Sequence, residues 1–145
     1  MVLVPGQERI GQRAEVSTLN HLSVDQLTVG AEAFLADSVS IGAPRVQRGL
    51  LTIAPTVIGA RSFIGNSAVV PGGTTLGSGI QIGALSTAPT TTPADDTSWV
   101  GSPSFALPNR PVSHAFPASL TFAPPRRLVL ARGLVEFFKI TLPYC

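Results

Sequence analysis

Cysteine is almost missing from this chain. Its one cysteine, Cys145, stands last of 145 residues, so neither an intramolecular disulfide nor a cysteine-built metal site can form. Charge is scarce too: charged residues make up 12%, about half the usual ~25%. One lysine and nine arginines face eight acids, for a net charge of +2. The pI of 9.3 reflects that small surplus. Apart from Arg126-Arg127 the arginines are scattered, so no basic stripe for nucleic acid is expected. No apolar run approaches the ~18 residues of a membrane span. The segment Met1–Arg9 has no basic stretch leading into a long apolar run, which predicts no signal peptide and a cytoplasmic setting. Dinucleotide-binding, P-loop, nucleophile-elbow and zinc-protease signatures are all missing. The two histidines, His21 and His114, stand near opposite ends of the chain, and no metal site is expected.

What is abundant is small or aliphatic. Apolar residues are 44%, with 14 glycines and 13 prolines; the mean hydropathy of +0.34 excludes a highly charged disordered chain. The aliphatics repeat with a period of six: Ile58, Ile64, Val70, Leu76, Ile82, each followed by Gly59, Gly65, Pro71, Gly77, Gly83. Four positions after each aliphatic stand Ser62, Ala68, Thr74, Ile80 and Ser86. The same period runs upstream through Val29-Gly30, Leu35-Ala36 and Ile41-Gly42, with Ala33, Val39 and Arg45 four positions on, the arginine a departure.

Eight hexads in two blocks predict an all-β fold, a single-stranded left-handed parallel β-helix of hexapeptide repeats. One hexad makes one short strand and one corner, and three make a triangular coil. The aliphatic points inward, coils stack at ~4.8 Å, and the small residue lets the backbone bend. Asn66, after Gly65, suits a left-handed corner. The blocks are out of phase, since the step from Ile41 to Ile58 falls one position short of three hexads. A bulge or small loop projecting near Arg45–Gly49 accounts for the slip. About three and a half coils are expected, with residues 47–57 supplying most of one.

The remaining segments follow from composition. Residues 1–26 read as an N-terminal lead-in, 27–88 as the β-helix, 89–98 as a mobile Thr/Pro loop and 99–125 as an extended Pro-rich tail. Trp99 is expected to cap the core. Asp95-Asp96 reads as a solvated pair, because general-acid work needs a buried, tuned carboxyl. After Pro124-Pro125, residues 126–142 form an amphipathic C-terminal helix. Its one narrow charged face, Arg132, Glu136 and Lys139, predicts packing on protein or contact with a membrane surface.

The hexads resemble the bacterial hexapeptide-transferase superfamily, of trimeric acyltransferase-like fold. Three motifs in order, Ile64-Gly-Asn-Ser-Ala-Val-Val-Pro-Gly-Gly73, Thr97-Ser-Trp-Val-Gly-Ser-Pro103 and Pro124-Pro-Arg-Arg-Leu-Val-Leu-Ala-Arg132, resemble the C-terminal hexapeptide-repeat region of polylysine-synthetase-type nonribosomal peptide synthetases. That resemblance implies an acyltransferase-like module aiding amide-bond formation from a carrier-bound aminoacyl thioester. The donor would be a phosphopantetheine-linked or CoA thioester, with no cofactor held permanently. Partners would be sister synthetase domains or two further copies in a homotrimer, with membrane-surface contact through 126–142. β-Helix acyltransferases of this kind use a histidine as general base, which makes His21 the first candidate and His114 the second. Gly65, Asn66 and Ser67 are the candidate substrate-binding corner, with the Gly65 and Asn66 N–H groups as oxyanion donors. Two alternatives stand beside this reading: a non-catalytic structural or oligomerisation module, and a CoA-dependent hexapeptide acetyltransferase. Near the coils only Arg45, Arg48 and Arg61 offer cations for a phosphate.

Overall fold

The computed structural model describes residues 10–22, 24–108, 117, 119 and 124–142. The chain divides into two units, Met1–Arg110 and Pro111–Cys145, each described by itself.

The first unit is a stack of short strands. The first layer holds β1 (Glu15–Val16) and β2 (Leu19–Leu22), and the second β3 (Leu27–Val29), β4 (Phe34–Leu35) and β5 (Val39–Ala43). Then come β6 (Arg45–Gln47) and β7 (Leu50–Thr52). The third layer is β8 (Thr56–Ile58), β9 (Phe63–Ile64) and β10 (Val69–Pro71); β11 (Thr75–Leu76) and β12 (Gln81–Ile82) follow, then β13 (Ser98–Val100) and β14 (Phe105–Leu107). Three sheets run through the layers: β1-β4-β9-β12-β13-β14, β2-β5-β10 and β3-β8-β11. Every pairing within them is parallel except β13 with β14. The chain visits the three sheets in turn and returns to each one layer on, so coils stack face to face.

Why the hexad makes this coil is visible in burial. All eight hexad aliphatics, from Val29 to Ile82, are at most 1% exposed. Ala33, Val39, Ser62, Ala68, Ile80 and Ser86, four positions after them, are buried as well. The turn falls three positions after the aliphatic: Glu32, Ser38, Arg61, Ser67, Gly73, Gly79 and Leu85 all have positive φ. The left-handed corner is therefore Ser67 at φ 56°, not Asn66. The glycine after the aliphatic has a more specific cause than bending. A Cβ on Gly59 would lie 2.3 Å from the Gly77 carbonyl oxygen of the next coil, and one on Gly30 2.3 Å from the Ala60 nitrogen. Coils touch backbone to backbone there. Buried hydroxyls are paired: Ser62 Oγ donates to the Gly77 carbonyl and accepts from the Ile80 N–H.

The stack is longer than the hexads suggest. Five parallel strands line the longest sheet. Residues 10–22 already pair onto the second layer, with Ile10 opposite Val29, Val16 opposite Leu35 and Leu22 opposite Ile41. Each of those offsets exceeds three hexads by one position, and neither Val16 nor Leu22 precedes a glycine. At the other end Trp99 pairs with Ile82, an offset one position short of three hexads. It packs on the core, while β14 adds an antiparallel strand outside it. The intervening segment is tied to the stack: Ala88 and Pro93 are buried, and the Thr97 carbonyl accepts from the Gln81 N–H. Asp95 accepts the Ser78 N–H at 2.9 Å, so it serves a corner.

Residues 47–57 do not supply a coil. Ile58 pairs with Leu76, three hexads on, whereas Val29 pairs with Ile58, almost five hexads on. The surplus is an antiparallel hairpin, β6–β7, with Arg48 and Gly49 at its turn, φ 50° and 75°. Positive φ at both central residues matches the right-handed twist of the strands. Arg45 departs from the hexad pattern because the chain leaves the coil there.

In the second unit α1 spans Arg126–Thr141, opened by Pro125 and carrying no buried residue. Pro124-Pro125 set the start, because proline blocks the residue before it from helix but fits the first turn. Lys139 and Glu136 pair at 3.3 Å on the predicted charged face. Among the described residues no helix is long and apolar enough to cross a membrane.

Candidate functional site

The sequence-derived candidates fall on two neighbouring columns of the stack. His21 lies exposed on β2, opposite Ser40 of β5, which in turn faces Val69 of β10. This outward row ends near Thr87, bridged through Val69. A register shift between Leu19 and His21 turns Asn20 aside, and its Nδ2 donates to the Ser38 carbonyl at 3.0 Å.

The second column is the corner before that sheet. There the Ser38 N–H donates to the Thr18 carbonyl, Ser67 to Asp37 and Leu85 to Asn66. The Asp37 carboxylate accepts the hydroxyls of Ser17 and Thr18, the latter at 2.8 Å. The Ser17 hydroxyl, then the Thr18 hydroxyl and N–H, hold its pKa below the ordinary value. Gly65, Asn66 and Ser67 belong to this column, two layers from His21. At the spacing of adjacent strands that is roughly 10 Å along the stack, so the two candidates do not converge on one atom. The Gly65 N–H donates to the Ile82 carbonyl at 2.8 Å. It serves the ladder and is not an oxyanion donor without breaking it. His114 lies outside the described residues.

A polar cleft of the first unit lies at the hairpin root. A cleft of about 290 Å³ is lined by Arg45 and Thr52 of the hairpin, Ala54, Pro71–Thr74 of the next corner, and Thr90 a layer further on. Arg45 and Thr52 are directly opposed across β6–β7, which puts them on one face. The Gly72 N–H donates to the Ala43 carbonyl at 3.2 Å, fastening the corner against the base of the hairpin. Gly73, at φ 85°, leaves the floor without a side chain. Among the described residues lining the cleft, Arg45 is the one ionisable group, and no carboxylate among the described residues pairs with it. A cation with three hydroxyls can hold an oxyanion. Sequence reasoning left the cleft unseen. Its signal is Arg45 itself, the single cation at a position that is small or aliphatic in the other hexads.

No family model matches the chain. It is 38% identical over 136 residues to a delta-poly-L-ornithine synthetase of Acinetobacter baumannii (strain AB307-0294). The match covers 93% of this chain and 10% of the synthetase, so the chain spans about a tenth of that relative's length. Among solved structures it is similar to a maltose O-acetyltransferase from Clostridium difficile 630, with a TM-score of 0.59 and 24% identity over 68% of this chain and 56% of the acetyltransferase. The sequence match spans the hexads, the hairpin root and part of α1; the structural match shows the fold, a stack of parallel strands.

Proposed function

We propose that this chain is an acyltransferase-like module of a nonribosomal-type synthetase, built on a left-handed parallel β-helix, and that it aids amide-bond formation. The observation that carries the reading is the synthetase match. At 136 residues it includes parts of both units, and it coincides with a stack like that of an acetyltransferase. The donor is an aminoacyl group on a carrier-bound phosphopantetheine thiol. The nucleophile is a free amine: its nitrogen attacks the thioester carbonyl, a C–N bond forms, the C–S bond breaks, and the thiolate takes the proton lost by nitrogen. His21, exposed on the stack, is the candidate to carry that proton as a general base. Sister synthetase domains or two further copies of the chain are its partners. The test is incubation of the chain with an aminoacyl-pantetheine thioester and a free amine, with amide read by mass spectrometry. Product above background that falls with His21→Ala supports the reading. No product from the intact chain rejects an autonomous enzyme, and transfer from acetyl-CoA alone points to a CoA-dependent acetyltransferase.

A specific observation favours a second reading, a structural or oligomerisation module. The Gly65 N–H is spent in the ladder, and His21 lies two layers away from that corner. Solution mass at micromolar concentration discriminates: a strict monomer that captures no sister domain removes this reading. For α1, four cations, one acid and eight large apolar residues support contact with an anionic membrane surface. Flotation of the chain with anionic vesicles, against neutral ones, tests it.

A further inference from the structure

The cleft at the hairpin root has a composition that neither fold nor ladder requires. Arg45 and three threonines, from β6, β7, the Pro71–Thr74 corner and Thr90, line one cleft with no acid among its described lining residues. The hairpin, the corner and Thr90, spread from Arg45 to Thr90 in the chain, supply them. A carboxylate would neutralise Arg45, and among the described residues none does. The guanidinium is a planar fork suited to bidentate contact with an oxyanion, and hydroxyls donate to the oxygens the fork leaves unpaired. At about 290 Å³ the space sits at the lower bound of small-ligand pockets, enough for a terminal group and too little for a whole dinucleotide. The hairpin orders the backbone of the site: Arg45 is paired with Thr52 in the ladder, and the corner is fastened to the hairpin base through Gly72 and Ala43.

We infer that this cleft is a phosphate site, and that its occupant is the phosphate of the phosphopantetheine arm that brings the acyl group. The second half rests on the proposed function; the first does not. Phosphate carries the charge that complements Arg45, and the thioester end of the arm extends out of the cleft over the exposed surface of the stack.

The test is titration of the full chain with inorganic phosphate, phosphopantetheine and phosphate-free pantetheine, followed by amide NMR at Gly73, Thr74 and Thr90. Phosphopantetheine is expected to shift these amides at lower concentration than inorganic phosphate, with pantetheine silent. Arg45→Gln weakens phosphopantetheine binding on the order of tenfold or more, Arg45→Lys less, and Arg48→Gln, at the hairpin turn, leaves it unchanged. Added salt weakens it, as for any exposed ion pair. Silence toward every phosphate, or binding indifferent to Arg45→Gln, overturns the site. Equal binding of pantetheine overturns the phosphate assignment. Phosphate bound as tightly as phosphopantetheine leaves an anion site and removes the donor arm from it. Failure of the amide-forming assay while phosphopantetheine still binds through Arg45 rejects the enzyme reading and leaves the phosphate site standing.

Discussion

Residues 58–82 and the β6–β7 hairpin draw on the same aliphatic residues and treat them in opposite ways. Ile58, Ile64, Val70, Leu76 and Ile82 are at most 1% exposed, whereas Val46, Leu50 and Leu51 are 61–72% exposed. The difference is phase, not composition. In the coil each inward aliphatic meets its counterpart from the next layer, because each strand takes its hydrogen bonds from the strands of neighbouring layers. The hairpin makes its own ladder, Arg45 with Thr52 through Gln47 with Leu50. It needs no partner from the stack, so nothing forces its aliphatics inward. Hydrophobicity alone does not locate the core of this molecule; hydrophobicity at the right period does.

Truncating an aliphatic side chain in each region tests that difference at its widest. Ile64→Ala removes a fully buried side chain from the middle of the stack and is expected to cost ~2–5 kcal/mol. Leu51→Ala in the hairpin is expected to stay within ~0.5 kcal/mol of the parent. Thermal and denaturant unfolding of the pair measures both, and equal losses would show that the hairpin is buried in solution. Glycines repeat the contrast at smaller scale. Gly59→Ala drives a Cβ to 2.3 Å from the Gly77 carbonyl, and forcing two coils apart costs ~1–3 kcal/mol. Gly49→Ala meets nothing within 4 Å and carries only the left-handed backbone penalty of roughly 1–2 kcal/mol.

The same difference explains what the sequence discloses. Hexads from Val29 to Ile82 are legible because aliphatic, small follower and buried small residue recur together, and all eight aliphatics lie inside. The outer layers keep the winding but lose the signal. Ile10, Val16 and Leu22 keep the period of six, yet one added position before Leu27 shifts them and two lack the glycine; Trp99 arrives one position early. The broken phase and Arg45 foreshadow the hairpin, but an insertion and a shortened coil shift the period alike, so its antiparallel pairing is not legible. Gly65–Ser67 reads as a corner and is one, while its hydrogen bonds, which bind it to Ile82 and Asp37, depend on layers that a linear pattern does not register. The cleft gathers residues from three layers and shows in no window of the sequence.

Asp37 offers a smaller test, at the first layer's join to the second. Its carboxylate receives Ser17 and Thr18 from the first layer, and these bonds lower its pKa. A lowered value in the folded state means the contribution is fully present above the ordinary Asp range and fades as pH falls through the lowered value. The parent is therefore expected to melt above Asp37→Asn at neutral pH, and the two melting curves should converge in strong acid. A gap that persists unchanged into strong acid would assign the loss to geometry rather than to charge. Hydrogen exchange at Thr18 and Ser38 would report the same join, with faster exchange in the variant. No matching pH dependence is expected between β8 and β11 or between β9 and β12, where backbone groups make the join.

Only a small effect on stability is expected from the largest edit, removal of the hairpin. Deleting Arg45–Pro55 places Ile58 one hexad after Ile41 and merges the two hexad blocks into one phase. Thr56, already 1% exposed, then falls at the fourth position after Ile41, where the other hexads place a buried residue. One obstacle remains, because Pro44 would fall on the third position, which takes positive φ in the other hexads, and proline fixes φ near −65°. The deletion is therefore paired with Pro44→Gly. Shortening a surface connection changes closure entropy by under about 1 kcal/mol, so the thermal midpoint is expected to shift only slightly. Hydrogen exchange should still protect the amide of Gly30, which bonds across the rejoined layers to Ile58, and that of Gly59, which bonds onward to Leu76. The same variant lacks Arg45 and Thr52 and is expected to lose phosphate binding outright. A deletion that unfolds the chain would mean that the hairpin belongs to the stack's core after all. One that folds with the affinity intact would detach the anion site from the hairpin root.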